Sequence, residues 1–192
     1  MINFAGTSSS VLAARRYPVE AERTLKNSLV LPPDKTIMAA LAPLADLAIK
    51  AVPVGTPTAQ EEPWPGAIAW RCVSLALWSY RQGDCAATVR WCRRCLAYGN
   101  GDPARVATAN AILAMSCFQL GQAQEGNDAL SLSRNLAADR GAQGQWFDWA
   151  LARILMNEAA AVQEDPTASE TTRGAAAARQ GARNHRQSGV AG

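Results

Sequence analysis

Residues 67–103, "AIAWRCVSLALWSYRQGDCAATVRWCRRCLAYGNGDP", decide the fold because they contain two helical segments joined by one tight turn. Apolar residues recur at helical spacing up to Gln82 and again from Cys85. Gly83 separates the two runs, and glycine ends a helix at little cost because it adopts a left-handed conformation. The Gly- and Pro-containing connector then stops the second helix. The stretch therefore predicts an antiparallel pair of helices, 66–82 and 84–98.

The same unit recurs with a period of 38 residues. The pair Leu-Ala stands at 75–76, at 113–114 and at 151–152, while Gly83 and Gly121 follow the first two pairs at the same distance. A helical pair leaves one apolar face uncovered, and stacking the next pair against it buries that face. The period predicts an all-α fold of stacked helix pairs.

The rest of the 192-residue chain reads as further helices, one loop and two unstructured ends. Helices are expected at 18–31, at 34–52 with a kink or restart at Pro43, and at 103–120, 122–138 and 143–164. Prolines and glycines make 53–65 a loop, and 1–17 and 165–192 lack the bulky apolar residues that ordering requires. One domain is thus predicted over 18–164: a helix pair 18–52, repeats 66–102 and 103–142, and a capping helix 143–164.

Charge and hydropathy exclude several classes of protein. The net charge of +3 comes from the two ends, so that residues 17–164 carry a net charge of −1. A surface that binds nucleic acid would concentrate positive charge on the folded part, so nucleic acid is an unlikely partner. No stretch approaches the roughly 20 apolar residues that span a membrane, and the first residues lack the order of a secretory signal. A soluble, cytoplasmic protein with reduced cysteines is expected.

The repeating residues resemble the pattern of the tetratricopeptide repeat. They are Leu75, Ala76, Gly83, Leu96 and Pro103 in the first unit and Leu113, Ala114, Gly121 and Leu130 in the second. The resemblance implies a short right-handed superhelix of antiparallel helix pairs, an α-α solenoid. Gly126 and Asn127 depart from the pattern, which has small or apolar helix formers at their positions.

A narrower resemblance covers residues 18–164. The segments "AERTLKNSLVLP", "VSLALWSYRQGD" and "RVATANAILAMSCFQLGQ" are similar to the C-terminal helical array of large bacterial serine/threonine kinases. The sequence contains no Gly-rich loop, no His-Arg-Asp and no Asp-Phe-Gly, which a kinase domain requires. The resemblance implies a detached part of a kinase-type signalling protein.

In such an architecture the first helix of each pair lines a concave groove. Stepping the period gives nine candidate positions for binding a partner: Trp70, Val73, Leu77, Thr108, Ala111, Met115, Trp146, Trp149 and Arg153. Two alternatives stay open, since the groove either binds a partner or is covered by the 53–65 loop or the first helix pair. The Lys, Asn and Arg of the family's carboxylate clamp are missing at these positions, so a bound peptide is expected to be held by apolar contact.

Three cysteines and three arginines on helix 84–98 raise other possibilities. Cys85, Cys92 and Cys95 are small, readily buried side chains, and packing between helices is their predicted role. A zinc site needs four ligands, whereas the one histidine, His185, lies in the tail. Arg90, Arg93 and Arg94 form a stripe that is either a solvated face or a weak binding site for phosphate or nucleic acid.

These observations favour an interaction module that binds a peptide or protein partner. No recognisable nucleophile signature, phosphate loop or paired carboxylates point to an enzyme, and neither a cofactor nor a metal is expected. A structural fragment without independent function is the alternative, because two and a half repeats are near the lower limit for a stable array.

Overall fold

The computed structural model describes residues 18–55, 66–99, 102–138 and 146–165, and these ranges contain seven helices and no strand. The helices are α1 (Pro18–Ser28), α2 (Lys35–Lys50), α3 (Ala67–Gln82), α4 (Cys85–Ala97), α5 (Pro103–Gln119), α6 (Ala123–Ala138) and α7 (Trp146–Glu164). The predicted all-α class is confirmed for the described ranges. Each helix lies within three residues of its predicted ends. The predictions for 1–17, for 56–65 and for the tail beyond Asp165 fall outside the described residues.

Pro43 lies inside α2, which continues through it without the predicted restart. Proline removes one backbone hydrogen bond, to the carbonyl four residues earlier. That carbonyl belongs to Ala39, which is exposed. Water can therefore replace the missing donor, and the helix tolerates the proline.

Aspartates begin three of the helices. The Asp34 carboxylate accepts a hydrogen bond from the Ile37 backbone N–H (2.8 Å), and Asp84 accepts one from Ala87 (2.8 Å). At α5 the Asp102 carboxylate accepts from Ala104 (3.0 Å), and Pro103 occupies the first turn, where its missing N–H costs nothing.

The turns after α3 and α5 are equivalent in their glycine conformation and in the backbone hydrogen bond that each contains. Gly83 adopts φ 84° and Gly121 adopts φ 73°. The Asp84 N–H donates to the Ser79 carbonyl (3.0 Å), and 38 residues later the Gln122 N–H donates to the Cys117 carbonyl (2.8 Å). The two helix pairs α3–α4 and α5–α6 are thus joined by the same left-handed glycine turn.

The recurring Leu-Ala pairs lie in the core. Leu75, Leu113 and Leu151 are all buried, and their neighbours Ala76, Ala114 and Ala152 have no exposed surface. Methyl-sized side chains at these positions let adjacent helices approach closely. One cluster of buried apolar residues extends from Ala21 in α1 to Val162 in α7.

The helices contact one another mainly in chain order. The pair α1–α2 packs against α3, the pair α3–α4 packs against α5, and α5 packs along both α6 and α7. The helix α7 departs from a regular progression, because it lies extensively along α5 and only sparsely against α6. This position brings α7 towards α1 and α3.

Gly126, which departs from the repeat pattern, is explained by an aromatic neighbour. A Cβ atom at this position would lie 2.5 Å from the ring of Phe118, closer than any real contact. The buried ring of Phe118 therefore fills the space that a side chain at 126 would take.

We expect Gly126→Ala to destabilise the fold. Displacing the Phe118 ring costs roughly 1–3 kcal/mol, whereas alanine regains about 1 kcal/mol of helix propensity, so the net loss is up to about 2 kcal/mol. Urea unfolding measures it, with Ser131→Ala on the exposed side of α6 as the control. A variant as stable as the wild type would mean that the ring moves freely.

Candidate functional site

Most of the predicted groove is closed. Val73 and Leu77 of α3, and Thr108, Ala111 and Met115 of α5, have no exposed surface. These five residues lie inside the core, so of the two alternatives left open by the sequence the structure shows the covered one at these positions. The physical cause is that α1 packs on α3 and α7 packs on α5, which covers the sides of α3 and α5 that the groove would use.

Arg81, in the last turn of α3, joins three helices. Its Nε donates to the Leu29 carbonyl (3.0 Å) and its Nη2 to the Val30 carbonyl (2.9 Å), which satisfies carbonyls at the end of α1. The same guanidinium forms a two-pronged ion pair with Glu158 of α7, in which Nη2 lies 2.8 Å from Oε2. The Arg81 side chain is only 4% exposed. Arg81 therefore ties α7 to both α1 and α3.

Lys26 forms a second tie at the other end of α7. Its Nζ lies 3.4 Å from the Asp148 carboxylate and 3.5 Å from Glu22, and it stands 4.0 Å above the Trp70 ring. Trp70 is fixed in turn, since its indole N–H donates to Asp102 (3.1 Å). The ammonium is thus held between two carboxylates and an aromatic face, a favourable site for a partly desolvated cation.

Glu22 is a buried acid on the same surface of α1. The Ser74 hydroxyl lies within hydrogen-bond distance of its carboxylate (3.3 Å) and of its backbone carbonyl (3.2 Å). Burial raises the pKa of Glu22 above its usual value, and the nearby Lys26 ammonium opposes that rise. Desolvation outweighs the ion pair here.

An open cleft of about 860 Å³ lies beside these contacts. One wall is α1 from Pro18 to Asn27, and the others are Ala67, Trp70 and Arg71 at the start of α3 and Phe147 and Asp148 at the start of α7. Its volume suits a small ligand or a few residues of a peptide. We call this the α1–α3–α7 cleft.

The other four predicted groove residues are not all in this cleft. Trp70 lines it, and Trp146 stands at its edge, 79% exposed and packed edge-on against Phe147 with ring centroids 5.9 Å apart. Trp149 is half-buried against the core, and Arg153 is exposed beside the end of α6. Of the nine predicted groove residues, the structure thus leaves Trp146 and Arg153 exposed and Trp70 and Trp149 half-buried.

The cysteines pack as predicted. Cys72, Cys85, Cys92, Cys95 and Cys117 are all buried and form no disulfide. Burial raises the pKa of Cys92 well above its usual value and that of Cys117 to about 11, so both thiols stay protonated and unreactive at neutral pH. Within the described ranges no group of three or more His, Cys, Asp or Glu residues is placed to hold a metal ion.

The three arginines of α4 do not converge on a common site. Arg93 pairs with Glu125 of α6 (2.8 Å), and Arg94 donates to the carbonyls of Gly55 (2.9 Å) and Pro53. Arg90 is exposed. Two of the three guanidiniums are therefore engaged within the chain, which argues against the predicted alternative of a phosphate or nucleic-acid site.

Comparison of the chain with protein-family models, with curated proteins and with solved structures finds no match. Among the helices that the structure describes, none is both long and apolar enough to cross a membrane.

Sequence reasoning missed the charged residues that close the groove. Glu22 and Lys26 follow the buried Ala21 and Leu25 by one position each, so their four-residue spacing on the apolar side of α1 was a usable signal. Arg81 and Glu158 are 77 residues apart, and no local pattern links them.

We expect Arg81→Met to lower the free energy of unfolding by about 3–5 kcal/mol, because it leaves Glu158 without its partner in a mostly buried site. The exposed pair offers a matched control, since Arg93→Met is expected to cost less than about 1 kcal/mol. Urea unfolding compares the two, and Arg81→Met combined with Glu158→Met is expected to recover part of the loss. Equal losses of unfolding free energy for Arg81→Met and Arg93→Met would contradict the conclusion that Arg81 ties α7 to α1 and α3.

The stability of Glu22→Gln relative to the wild type is expected to rise with pH. Because the folded-state pKa of Glu22 is raised, its protonated form stabilises the fold below the unfolded pKa, and this contribution is lost as pH rises through the folded pKa. Glutamine keeps an acceptor for Ser74 and does not titrate. Unfolding free energies of both proteins at several pH values between 4 and 7 measure the difference. If the stability of Glu22→Gln relative to the wild type falls as pH rises, the ion pair with Lys26 outweighs the burial of Glu22.

Proposed function

We propose that this chain is a protein-interaction module, a short tetratricopeptide-like array of antiparallel helix pairs that takes a peptide or protein on its concave side. The equivalent glycine turns 38 residues apart, with the buried Leu-Ala pairs, support the repeat architecture. The observation that carries the binding function is the α1–α3–α7 cleft, which opens beside Trp70 and Phe147. Binding to a preformed surface is the whole mechanism, and no bond is made or broken.

The chemistry of the cleft favours a ligand held by apolar contact. Of the three carboxylates that line it, Glu22 and Asp148 are paired with Lys26 inside the chain, and Glu20 is exposed on α1. What remains for a ligand is the apolar surface of Trp70 and Phe147, with Arg23 at the rim. Buried aromatic anchors of this kind dominate the energetics of many interfaces. We therefore propose a short peptide segment that inserts an apolar side chain between the two rings.

The proposal includes a cytoplasmic protein derived from a kinase-type signalling protein, on the strength of the resemblance over residues 18–164. The reading frame next to this one tests that origin. A fragment without independent function is the remaining alternative, and the cleft counts against it.

A displayed library of random 12-residue peptides, selected on the immobilised full chain, tests the cleft. We expect enriched peptides whose affinity falls by about tenfold or more, about 1.4 kcal/mol, in Phe147→Asp. Leu132→Asp is the matched control, because Leu132 is 46% exposed on α6 and Phe147 is 44% exposed. Calorimetric titration gives the affinities. A selection that enriches nothing, or peptides that bind both variants equally, would refute the proposal.

A further inference from the structure

The helix α7 lies where a groove ligand would lie. Its residues Leu151, Leu155 and Ala159 are buried, and the helix packs along α5, whose Ala111 and Met115 belong to the predicted groove. Its packing along α5 is more extensive than that of α5 along α3, while its contact with α6 is sparser than that of α5 with α4. The helix α7 therefore does not lie at the end of the stack as a regular third repeat would. It lies against the side of the stack that is formed by the first helix of each pair.

Two ion pairs hold α7 in this position. Asp148 pairs with Lys26, and Glu158, ten residues further along α7, pairs with Arg81. Both cations belong to the helices α1 and α3, which these ion pairs join to α7, and both side chains are at least 90% buried. The array thus presents two buried positive charges. The helix α7 supplies the carboxylate that pairs with Arg81 and one of the two that pair with Lys26, the other being Glu22 of α1.

We infer that α7 is an intramolecular ligand of the array's groove, and that the partner of this protein is an amphipathic helix with two carboxylates about ten residues apart, which displaces α7. This inference goes beyond the proposed cleft ligand, because a helix that displaces α7 also removes Phe147 and Asp148 from the cleft. An amphipathic helix laid in an apolar groove is a common mode of recognition.

The charges select among the possible occupants. A helix without carboxylates leaves Arg81 buried without an ion-pair partner and leaves Lys26 with Glu22 alone, which is unfavourable. A basic helix is repelled by both. The segment that occupies this place in the structure, residues 146–164, is acidic. It contains the three carboxylates of Asp148, Glu158 and Glu164 and one cation, Arg153.

Covalent attachment makes α7 a strong competitor. A tethered ligand acts at an effective concentration in the millimolar range for short flexible connections, so a free helix binds the closed chain poorly. The apparent affinity for a free helix is reduced by the fraction of chains whose groove is open. Weakening the tethered α7 alone therefore increases the affinity for a free copy of the same helix.

A labelled synthetic peptide of residues 146–164 is the probe. We expect it to bind the full chain carrying Glu158→Gln at least about tenfold more tightly than the wild-type chain, since the free peptide retains the carboxylate that the tethered helix has lost. Glu125→Gln, which removes a carboxylate from the exposed pair with Arg93, is the matched control and is expected to leave the affinity unchanged. Fluorescence anisotropy measures the binding, and circular dichroism checks that each variant is folded.

Three results would overturn the inference. The first is a peptide that binds Glu158→Gln no better than the wild type. The second is equal binding of a peptide in which both Asp148 and Glu158 are replaced by lysine, since this would exclude charge selection. The third is a dimer of the wild-type chain in sedimentation equilibrium, since this would assign the groove to a second copy.

Hydrogen exchange on the wild-type chain gives an independent measurement that needs no variant. Amides of α7 are expected to exchange through a local opening, faster than those of α5. Equally slow exchange in both helices would make α7 a permanent part of the core and would contradict the inference. The library selection on the cleft depends on Phe147 and not on Glu158, so failure of the displaced-helix inference leaves the cleft result standing.

Discussion

A pair of antiparallel helices has more apolar surface than the two helices can bury against each other, and this constraint shapes the whole molecule. The pairs α3–α4 and α5–α6 solve it by packing side by side, with the small, fully buried side chains of Ala76 and Ala114 at equivalent positions. The same left-handed glycine turn closes both pairs, so that the same side of each is left for its neighbour. Whatever ends the series must cover the last free side.

At its two ends, the stack of helix pairs covers its free apolar side in different ways. At one end, α1 lies on α3 with α2 beside it, so a complete pair closes the stack. At the other end α7 has no second helix within the described residues, and it buries its apolar side by lying along α5 towards α1. The closed groove and the open cleft therefore have one origin. In the first turn of α7, at Phe147, its cover of α1 and α3 is incomplete, and the cleft remains.

The helices could be predicted from local signals in the sequence. The site could not, because it depends on pairwise contacts between residues that are distant in the sequence. Gly83, Gly121 and Pro103 punctuate the sequence, so that helix ends follow from backbone chemistry alone. The burial of the cysteines also follows, because small apolar residues fit between close helices. The exposure of Val73 or Met115 depends instead on where α7 lies. That position rests on Arg81 and Glu158, which are 77 residues apart, and helical periodicity carries no information on such a pairing.

The buried cations Lys26 and Arg81 are consistent with the inference that α7 can be exchanged for a partner helix. An apolar lining alone would hold α7 by area and would accept any apolar helix. Arg81 in contrast requires a carboxylate from the occupant, and Lys26, which already pairs with Glu22, favours a second one ten residues away. Such charges add little net stability compared with apolar contact, because their desolvation offsets their attraction, but a mismatched occupant suffers the full penalty. Specificity is obtained by penalising wrong partners as much as by favouring the right one. The two ion pairs therefore fit a surface selected for exchange between occupants more than one selected for a permanent core.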